Sequence, residues 1–388
     1  MPGRAMAESQ LRSSSTNSGP AKAEPLFVVT TAVNRRLNAD ADATPSRHHF
    51  FGSVATSIDR VPTRTAAGEK RFICDELPPR AGWWIVAPRV GLHGVFMPSF
   101  LQRVRALPRL GVGVSTEYGA ARVDGALDGA LDVFALAAAH PDCAQFMEVG
   151  VEVDKGFDDD ARRWIDSGRP TTYHFLDVNL DDELDLDPSW LAGLRARIGE
   201  SRPAWLCGDA GLWHFGVRDR AHMLLLPPIL SDDAASAMAR GVARLREATG
   251  MEVLPENPPG AAFVGDLHLL DFFARVAERA DTGLLLDVAH LAMYQHVTGR
   301  SPLDGLDAFP YERIVEVHVA GGLVRDVAGF SVVDDTHGTD VLDATWQIFE
   351  AVCARATNLK AVVFECERNR TDAVVDGFDR IHRIWGQG

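Results

Sequence analysis

The stretch GLLLDVAH, residues 283 to 290, decides the fold together with seven further apolar runs of the same form. Runs of this length, rich in Leu and Val and separated by amphipathic segments, are typical of buried parallel strands joined by crossover helices. Eight such units predict an α/β fold, a (β/α)8 TIM barrel. In chain order the runs are GVGVSTE (111 to 117), FMEVGVE (146 to 152), TTYHFLDV (171 to 178), AWLCGDA (204 to 210), EVLPEN (252 to 257), GLLLDVAH, IVEVHVAG (314 to 321) and AVVFECE (361 to 367).

Helical patterns lie between these runs, as βαβ crossovers require. The segment 231 to 248 begins with Ser231 followed by two acids, which predicts a helix N-cap with favourable first-turn charge. The other predicted helices occupy 123 to 139, 188 to 198, 265 to 279, 340 to 357 and 371 to 385.

The chain is longer than one barrel needs. Its 388 residues exceed the typical ~250 of a TIM barrel, and the excess lies at the N-terminus. We expect a disordered tail over residues 1–23, because this segment is polar and Ser-rich. Short β-like runs separated by Pro, Gly and charged residues predict a β-rich N-terminal extension over 24–100. Residues 101–388 then form the barrel domain.

Composition excludes several classes of function. A formal net charge of −15 argues against a nucleic-acid partner, because phosphate neutralisation needs clustered Lys and Arg. The five cysteines form no CxxC pair, which fits a reducing, cytoplasmic location better than a disulfide framework. The N-terminus has no apolar signal region, and no run of about 18 apolar residues occurs. We therefore expect a soluble cytoplasmic protein without a membrane partner.

Polar side chains collect where the predicted strands end. In a TIM barrel the C-terminal strand ends build the active site, so these side chains would converge on one mouth. Burying several carboxylates there without counter-charge would cost several kcal/mol or more for each ionised group. Divalent metal ions are the simplest neutraliser, and an Arg or Lys network from loops is the structural alternative. The predicted metal ligands are His174, Asp209, Glu256, Asp287, His290, His318, Asp335, His337 and Glu365.

Four of these ligands form two pairs that are close in sequence. Asp287 and His290 stand three residues apart at a strand end and the loop after it, and Asp335 and His337 occupy the loop after the seventh strand. Three further histidines are weaker candidates, for which a surface or structural role is the simpler interpretation. They are His214, His222 and His296.

The ordered set of motifs resembles the DUF692 family of multinuclear non-heme iron-dependent oxidative enzymes, which includes methanobactin-biosynthetic oxidases and the enzyme of thiaglutamate synthesis. The resemblance covers about 110 to 370. It rests on GVGVSTEYG, FMEVGVE, TYHFLDVNL, CGDAGLW, LLLPP, LPENPP, LLLDVAH, VEVHVAG, DDTHG and VVFECE in this order.

The resemblance implies a TIM barrel that holds two or three irons, in mixed valence, and uses O2 as co-substrate. It also implies a ribosomally made precursor peptide as substrate, oxidised at cysteine or another residue, and a separate partner protein that delivers the peptide leader. The positions that match family motifs are His174, Glu256, Asp287, His318, Asp335, His337 and Glu365.

Three positions depart from the family pattern. At the fourth strand the family has an acid followed by His, whereas this chain has Asp209 followed by Ala210. One iron site is therefore absent, altered, or completed by His214 or His222. We take Asp209 and His214 as candidate catalytic residues. At the sixth strand His290 replaces an Asn and is the stronger ligand. Gly322 stands where a second histidine is common.

Two other functions remain open at this stage. A sugar isomerase or phosphodiesterase of the xylose-isomerase-like barrels also gathers His, Asp and Glu around divalent ions, although no basic cluster for sugar or phosphate is evident near these strand ends. A non-catalytic metal-binding or partner-binding protein is the second alternative, with the N-terminal extension as its interaction surface. Cys207 and Cys366 adjoin the predicted site, and packing is the simpler role for both.

Overall fold

Eight parallel strands close into a barrel in the computed structural model, which describes residues 98–116, 131–216 and 224–386. The predicted tail and nearly all of the predicted N-terminal extension lie outside the described residues. The barrel strands are β1 (Gly111–Thr116), β2 (Phe146–Gly150), β3 (Thr171–His174), β4 (Leu206–Asp209), β5 (Val253–Glu256), β6 (Leu284–Asp287), β7 (Ile314–Ala320) and β10 (Ala361–Glu365). Their order around the barrel is β1-β10-β7-β6-β5-β4-β3-β2. Barrel strands that follow one another in the chain are therefore neighbours, and β10 lies between β7 and β1. The predicted TIM barrel is confirmed.

Helices cover the outside of the barrel. They are α1 (Phe100–Arg103), α2 (Val133–Ala139), α3 (Asp159–Asp166), α4 (Pro188–Ser201), α5 (Asp232–Thr249), α6 (Leu269–Ala280), α7 (Val288–Val297), α8 (Asp343–Cys353) and α9 (Val375–Trp385). Ser231 caps α5 by accepting a hydrogen bond from the backbone N–H of Ala234, as predicted, and Gly250 ends this helix in the left-handed conformation. Among the described helices, none combines the length and the apolarity that a membrane span requires.

One insertion departs from the simple alternation of strand and helix. Between β7 and α8 the chain forms an antiparallel hairpin of β8 (Gly322–Val327) and β9 (Phe330–Asp335). The sequence predicted a loop here. The hairpin delivers Asp335 at its end, so this acid is held by a strand ladder.

Inside the barrel, a mostly apolar layer lies below a polar layer. Side chains two residues apart on a strand point to the same face. On β5 and β6, Leu254 and Leu285 lie in an apolar cluster with Phe146 and Trp205, and Glu256 and Asp287 follow two residues later. Phe100 of α1 packs into the same cluster. An apolar layer therefore supports the charged side chains at the C-terminal strand ends.

Candidate metal centre

Ten carboxylates and imidazoles from neighbouring elements lie close together at the C-terminal mouth of the barrel. Most come from the last residues of strands, where the inward direction aims them at one another. We call this set the carboxylate–histidine cluster. Its members are Glu148, His174, Asp209, Glu256, Asp287, His290, His318, Asp335, His337 and Glu365.

Glu256 lies at the centre of this cluster. Its Oε2 is 2.7 Å from Nε2 of His174, and its Oε1 is 3.3 Å from Nδ1 of His318 and 3.7 Å from Nδ1 of His290. The side chain is 1% exposed, so these histidines take the place of solvent around the carboxylate. On β4, Asp209 extends the group, with Oδ2 3.9 Å from Nε2 of His174.

Asp287 and His290 are joined by a helix start. Helix α7 begins directly after β6, and Asp287 is its N-cap: Oδ1 accepts a hydrogen bond of 2.6 Å from the backbone N–H of His290. The expectation that His290 lies in a loop is therefore wrong, because the capped helix starts at Val288. The cap turns the imidazole inward, with Nε2 3.6 Å from Oδ2 of Asp287 and 3.3 Å from Oδ2 of Asp335.

His318 connects the two sides of the barrel. It is fully buried on β7, with Nε2 3.2 Å from Oε1 of Glu148 on β2 and Nδ1 3.4 Å from Oε1 of Glu365 on β10. Three strands thus meet at one imidazole.

The hairpin closes one side of the cluster. Nε2 of His337 lies 3.0 Å from Oδ2 of Asp335, and its Nδ1 lies 2.6 Å from Oε1 of Glu367. Glu367 also accepts a hydrogen bond of 3.0 Å from the hydroxyl of Ser115 on β1. A carboxylate on the far nitrogen fixes the orientation of an imidazole, as second carboxylates commonly do around metal-bound histidines.

The balance of charge in the cluster favours bound cations. Among the described residues, the ion-pair partners of these carboxylates are histidines, and no Lys or Arg lines the pocket. Four buried carboxylate oxygens have no hydrogen-bond partner, which would be costly without a cation. They belong to Asp209, Asp287, Asp335 and Glu365.

The spacing of the donor atoms also fits metal ions. Three triads have one donor atom from each residue, all within 4.8 Å of one another. Imidazole and carboxylate are ligands that Fe, Mn and Zn accept. The triads are His174 with Asp209 and Glu256, Glu256 with Asp287 and His290, and Glu148 with His318 and Glu365.

The carboxylates and imidazoles of the cluster shift one another's pKa values. Burial alone would lower the pKa of His174, but the carboxylates of Glu148 and Glu256 raise it to about 9. Burial, with repulsion from Glu256, raises the pKa of Asp209 to about 8. Despite burial, the pKa of Glu256 lies below its ordinary value, because His318 and His174 stabilise its charged form.

The remaining imidazoles follow the same rule. Burial opposes protonation of each, but the carboxylates around it outweigh burial and raise its pKa well above the ordinary value. For His290 the main carboxylates are Asp287 and Asp335. For His318 they are Glu148 and Glu256, and for His337 Asp335 and Glu365.

The structure brings all nine predicted metal ligands into the cluster, but not the weaker histidines. His214 is buried elsewhere, with Nε2 3.0 Å from Oδ2 of Asp185 and Nδ1 2.6 Å from the carbonyl oxygen of Gly216. Both ring nitrogens are thus engaged outside the cluster, so the geometry does not support His214 as a replacement ligand or as a catalytic group. His296 contacts the hydroxyl of Ser331 in an exposed position. His222 lies outside the described residues.

Two functional side chains were not predicted. Glu148 lies within the predicted second strand, and its spacing of two from the inward-facing Phe146 could have marked it as inward. Glu367 stands two residues after Glu365, beyond the end of β10, and its contact with His337 depends on the hairpin.

The departures from the family pattern have a structural basis. Ala210 is fully buried in the main apolar core, and its backbone N–H donates to the carbonyl of Glu256 at 2.9 Å. Gly322 begins β8, where an added Cβ would lie 3.1 Å from Val333 and 3.3 Å from Leu342. Both positions therefore face apolar side chains. Cys366 likewise packs in the main apolar core, in agreement with a packing role.

The fold and the site define a class: a TIM-barrel enzyme with a candidate metal centre at the C-terminal mouth of its barrel. The chain belongs to the family described as RiPP precursor modification enzyme MbnB/TglH/ChrH, whose model matches residues 132–384. The resemblance seen in the motifs is thereby confirmed.

Two curated relatives carry the family number UPF0276 as their name. A UPF0276 protein of Caulobacter vibrioides is 31% identical over 195 residues, which cover 48% of this chain and 66% of the relative. A UPF0276 protein of Anaeromyxobacter sp. is 29% identical over 196 residues, which cover 50% of this chain and 67% of that protein. The matched stretch is thus about two thirds of these relatives' length.

Two solved structures of similar shape carry xylose isomerase in their names. A xylose isomerase domain protein from Planctomyces limnophilus aligns with a TM-score of 0.46 and 15% identity, over 72% of this chain and 99% of that one. A xylose isomerase-like TIM barrel protein from Mycobacterium smegmatis, in complex with magnesium, aligns with a TM-score of 0.44 and 10% identity, over 74% and 100%. At these scores the similarity says nothing about activity.

Proposed function

We propose that this protein is an iron- and O2-dependent enzyme that oxidises a residue, cysteine in our hypothesis, of a ribosomally synthesised precursor peptide. The observation that carries the proposal is the carboxylate–histidine cluster, with three donor triads at one barrel mouth in a chain of the RiPP-modifying family. Two of the triads share Glu256, so that one carboxylate could bridge two neighbouring ions.

The residues that would hold iron are those of the three triads, with Asp335 and His337 beside them. Iron, when bound, supplies the one-electron chemistry with O2 that protein side chains lack. Carboxylates tolerate changes in the charge of a bound ion, and histidines hold their position. Glu367 orients His337 from outside the triads, at 2.6 Å.

The remaining walls of the mouth suit a peptide side chain. Leu176, Trp213, Leu225 and Pro259 line the pocket together with the charged groups. An apolar wall beside a charged floor orients a substrate and limits the access of water. This arrangement would place one residue of the peptide over the cluster and leave the rest of the peptide outside.

The deciding experiment is metal analysis of protein purified without oxygen, combined with Mössbauer spectroscopy. Two or more irons per chain would support the proposal. Stoichiometric zinc or manganese with no uptake of iron would contradict it and would favour a hydrolase or isomerase. A short neighbouring open reading frame rich in Cys near its C-terminus would supply the peptide for assay.

A partner role for the N-terminal segment belongs to the same proposal. We propose that residues 24–100 contact the precursor peptide or the protein that delivers its leader. Deleting residues 1–99 should then abolish peptide binding, measured by fluorescence anisotropy, while metal content stays at the level of the full chain. Unchanged peptide binding would refute this role.

A further inference from the structure

A second group of donor atoms lies deeper in the barrel than the carboxylate–histidine cluster. Glu316 and Cys207 each stand two residues before a cluster member on the same strand, His318 on β7 and Asp209 on β4. Their side chains therefore point into the barrel one layer below. Both are fully buried.

The two side chains meet Glu148 in this layer. Sγ of Cys207 lies 3.1 Å from Oε2 of Glu148, and donor atoms of Glu148, Cys207 and Glu316 all lie within 4.8 Å of one another. Two donors on one tetrahedral ion are roughly 3.3 to 3.7 Å apart, given metal–oxygen and metal–sulfur bonds of about 2.1 and 2.3 Å. Small side-chain adjustments would bring the three donors onto one ion.

Glu316 provides an independent observation that points to a ligand. Its Oε2 accepts a hydrogen bond of 2.7 Å from the indole N–H of Trp205, whereas its Oε1 is buried and has no hydrogen-bond partner. A carboxylate oxygen left in this state is costly. No Lys or Arg pairs with Glu316 among the described residues, and the apolar residues Leu285 and Ala361 lie beside it on the neighbouring strands.

We propose that Glu148, Cys207 and Glu316 form a further metal site, which takes a divalent transition-metal ion of borderline softness such as Zn2+ or Fe2+. A thiolate selects such ions over Mg2+ and Ca2+, and one thiolate with the carboxylate of Glu316 already offsets the two positive charges of the ion. Glu148 faces both layers, because its Oε1 lies 3.2 Å from Nε2 of His318. It would therefore link this ion to the cluster above. The argument for this site does not depend on the proposed reaction of the enzyme.

The sulfur ligand makes this site distinguishable from the cluster, whose described members offer nitrogen and oxygen only. The full chain would be loaded with Co2+ without oxygen and freed of excess metal. We expect a thiolate-to-cobalt charge-transfer band in the near ultraviolet and a sulfur ligand in cobalt X-ray absorption spectra. Cobalt-loaded protein with no sulfur ligand would overturn the proposal. That result would mean that a proton, and not a metal ion, neutralises Glu316.

Two variants assign the sulfur. Cys207→Ser should abolish the band and release one metal equivalent per chain, whereas Cys366→Ser, which changes another fully buried thiol, should alter neither. A band that survives Cys207→Ser in folded protein would overturn the proposal. Should Cys207→Ser fail to fold, Glu316→Gln decides, because it keeps the thiol in place. It should weaken binding of this one equivalent at least about tenfold, and an unchanged cobalt titration would contradict the site.

Discussion

The carboxylate of Asp287 contacts both the backbone and the side chain of His290. Its Oδ1 accepts a hydrogen bond of 2.6 Å from the backbone N–H, and its Oδ2 lies 3.6 Å from Nε2 of the imidazole. One side chain therefore starts helix α7 and aims a histidine at the cluster. Because Oδ2 has no hydrogen-bond partner of its own, it is free to bind a cation. Stability and metal binding can be separated at this residue.

Asp287→Asn should lose metal without losing the helix cap, because Asn caps as well as Asp but carries no charge. Asp287→Ala should lose both, with an additional destabilisation of about 1 kcal/mol. Metal content and thermal unfolding of the metal-free proteins measure the two effects. Asp187, the N-cap of α4, is the matched control: Asp187→Ala should lower stability and leave metal content unchanged. Full metal content in Asp287→Asn would exclude Asp287 as a ligand.

Glu256→Gln should affect more than one metal ion, because two of the triads share this carboxylate. The volume is conserved, but the charge that His174 and His318 face is lost. Loss of a group that only hydrogen-bonds to a metal ligand lowers metal affinity by up to about 100-fold. Glu256 would bind the ions directly, so we expect metal affinity to fall at least about 100-fold. Isothermal titration with Fe2+ without oxygen tests this. Glu350→Gln, an exposed change on α8, is the control. An equal affinity in both variants would remove Glu256 from the site.

Glu367→Gln should weaken the site indirectly. The carboxylate orients His337 through a contact of 2.6 Å at Nδ1, and an amide can satisfy that nitrogen without raising the basicity of the ring. We expect metal affinity to fall by about 10- to 100-fold. Ser115→Ala removes the hydroxyl that donates to Glu367 and should have a smaller effect of the same sign. A larger loss in Ser115→Ala would assign the dominant role to the serine.

Most of the site could be predicted because strand ends are marked in the sequence. His174, Glu256, Asp287 and Glu365 lie in or at the ends of apolar runs, each ends a strand of the barrel, and the barrel topology brings such ends together. The second strand run carries two acids, Glu148 and Glu152, and composition alone does not say which one faces the cluster. In the structure Glu152 instead contacts Lys155 at 2.6 Å.

Individual contacts between residues distant in sequence could not be predicted. His214 follows β4 as a ligand would, but it pairs with Asp185, which is 29 residues away. His337 was predicted as a ligand, but the β8–β9 hairpin that precedes it and its left-handed backbone conformation, with φ of 47°, were not predicted. Tertiary packing therefore determines which of several plausible histidines reach the cluster.

The stability of the metal-free protein should fall as pH rises from about 6 to about 9. The pKa of His174 is raised to about 9 and that of Asp209 to about 8 in the fold, so the native state binds more protons than the unfolded chain across this range. The stability these protons contribute is present below the pKa values of the unfolded chain and is lost as pH rises past the pKa values of the folded protein.

Metal ions bind the deprotonated ligands, so metal affinity should instead increase with pH.

The gap in melting temperature between metal-loaded and metal-free protein should consequently widen with pH. Differential scanning calorimetry of both forms at several pH values measures this gap, and proton release on metal binding, measured in buffers of different ionisation enthalpy, gives an independent check. Asp209→Asn removes one of the titrating groups and should flatten the pH dependence of the metal-free form. A gap that stays constant from about pH 6 to about pH 9 would mean that protons and metal ions do not compete for these side chains.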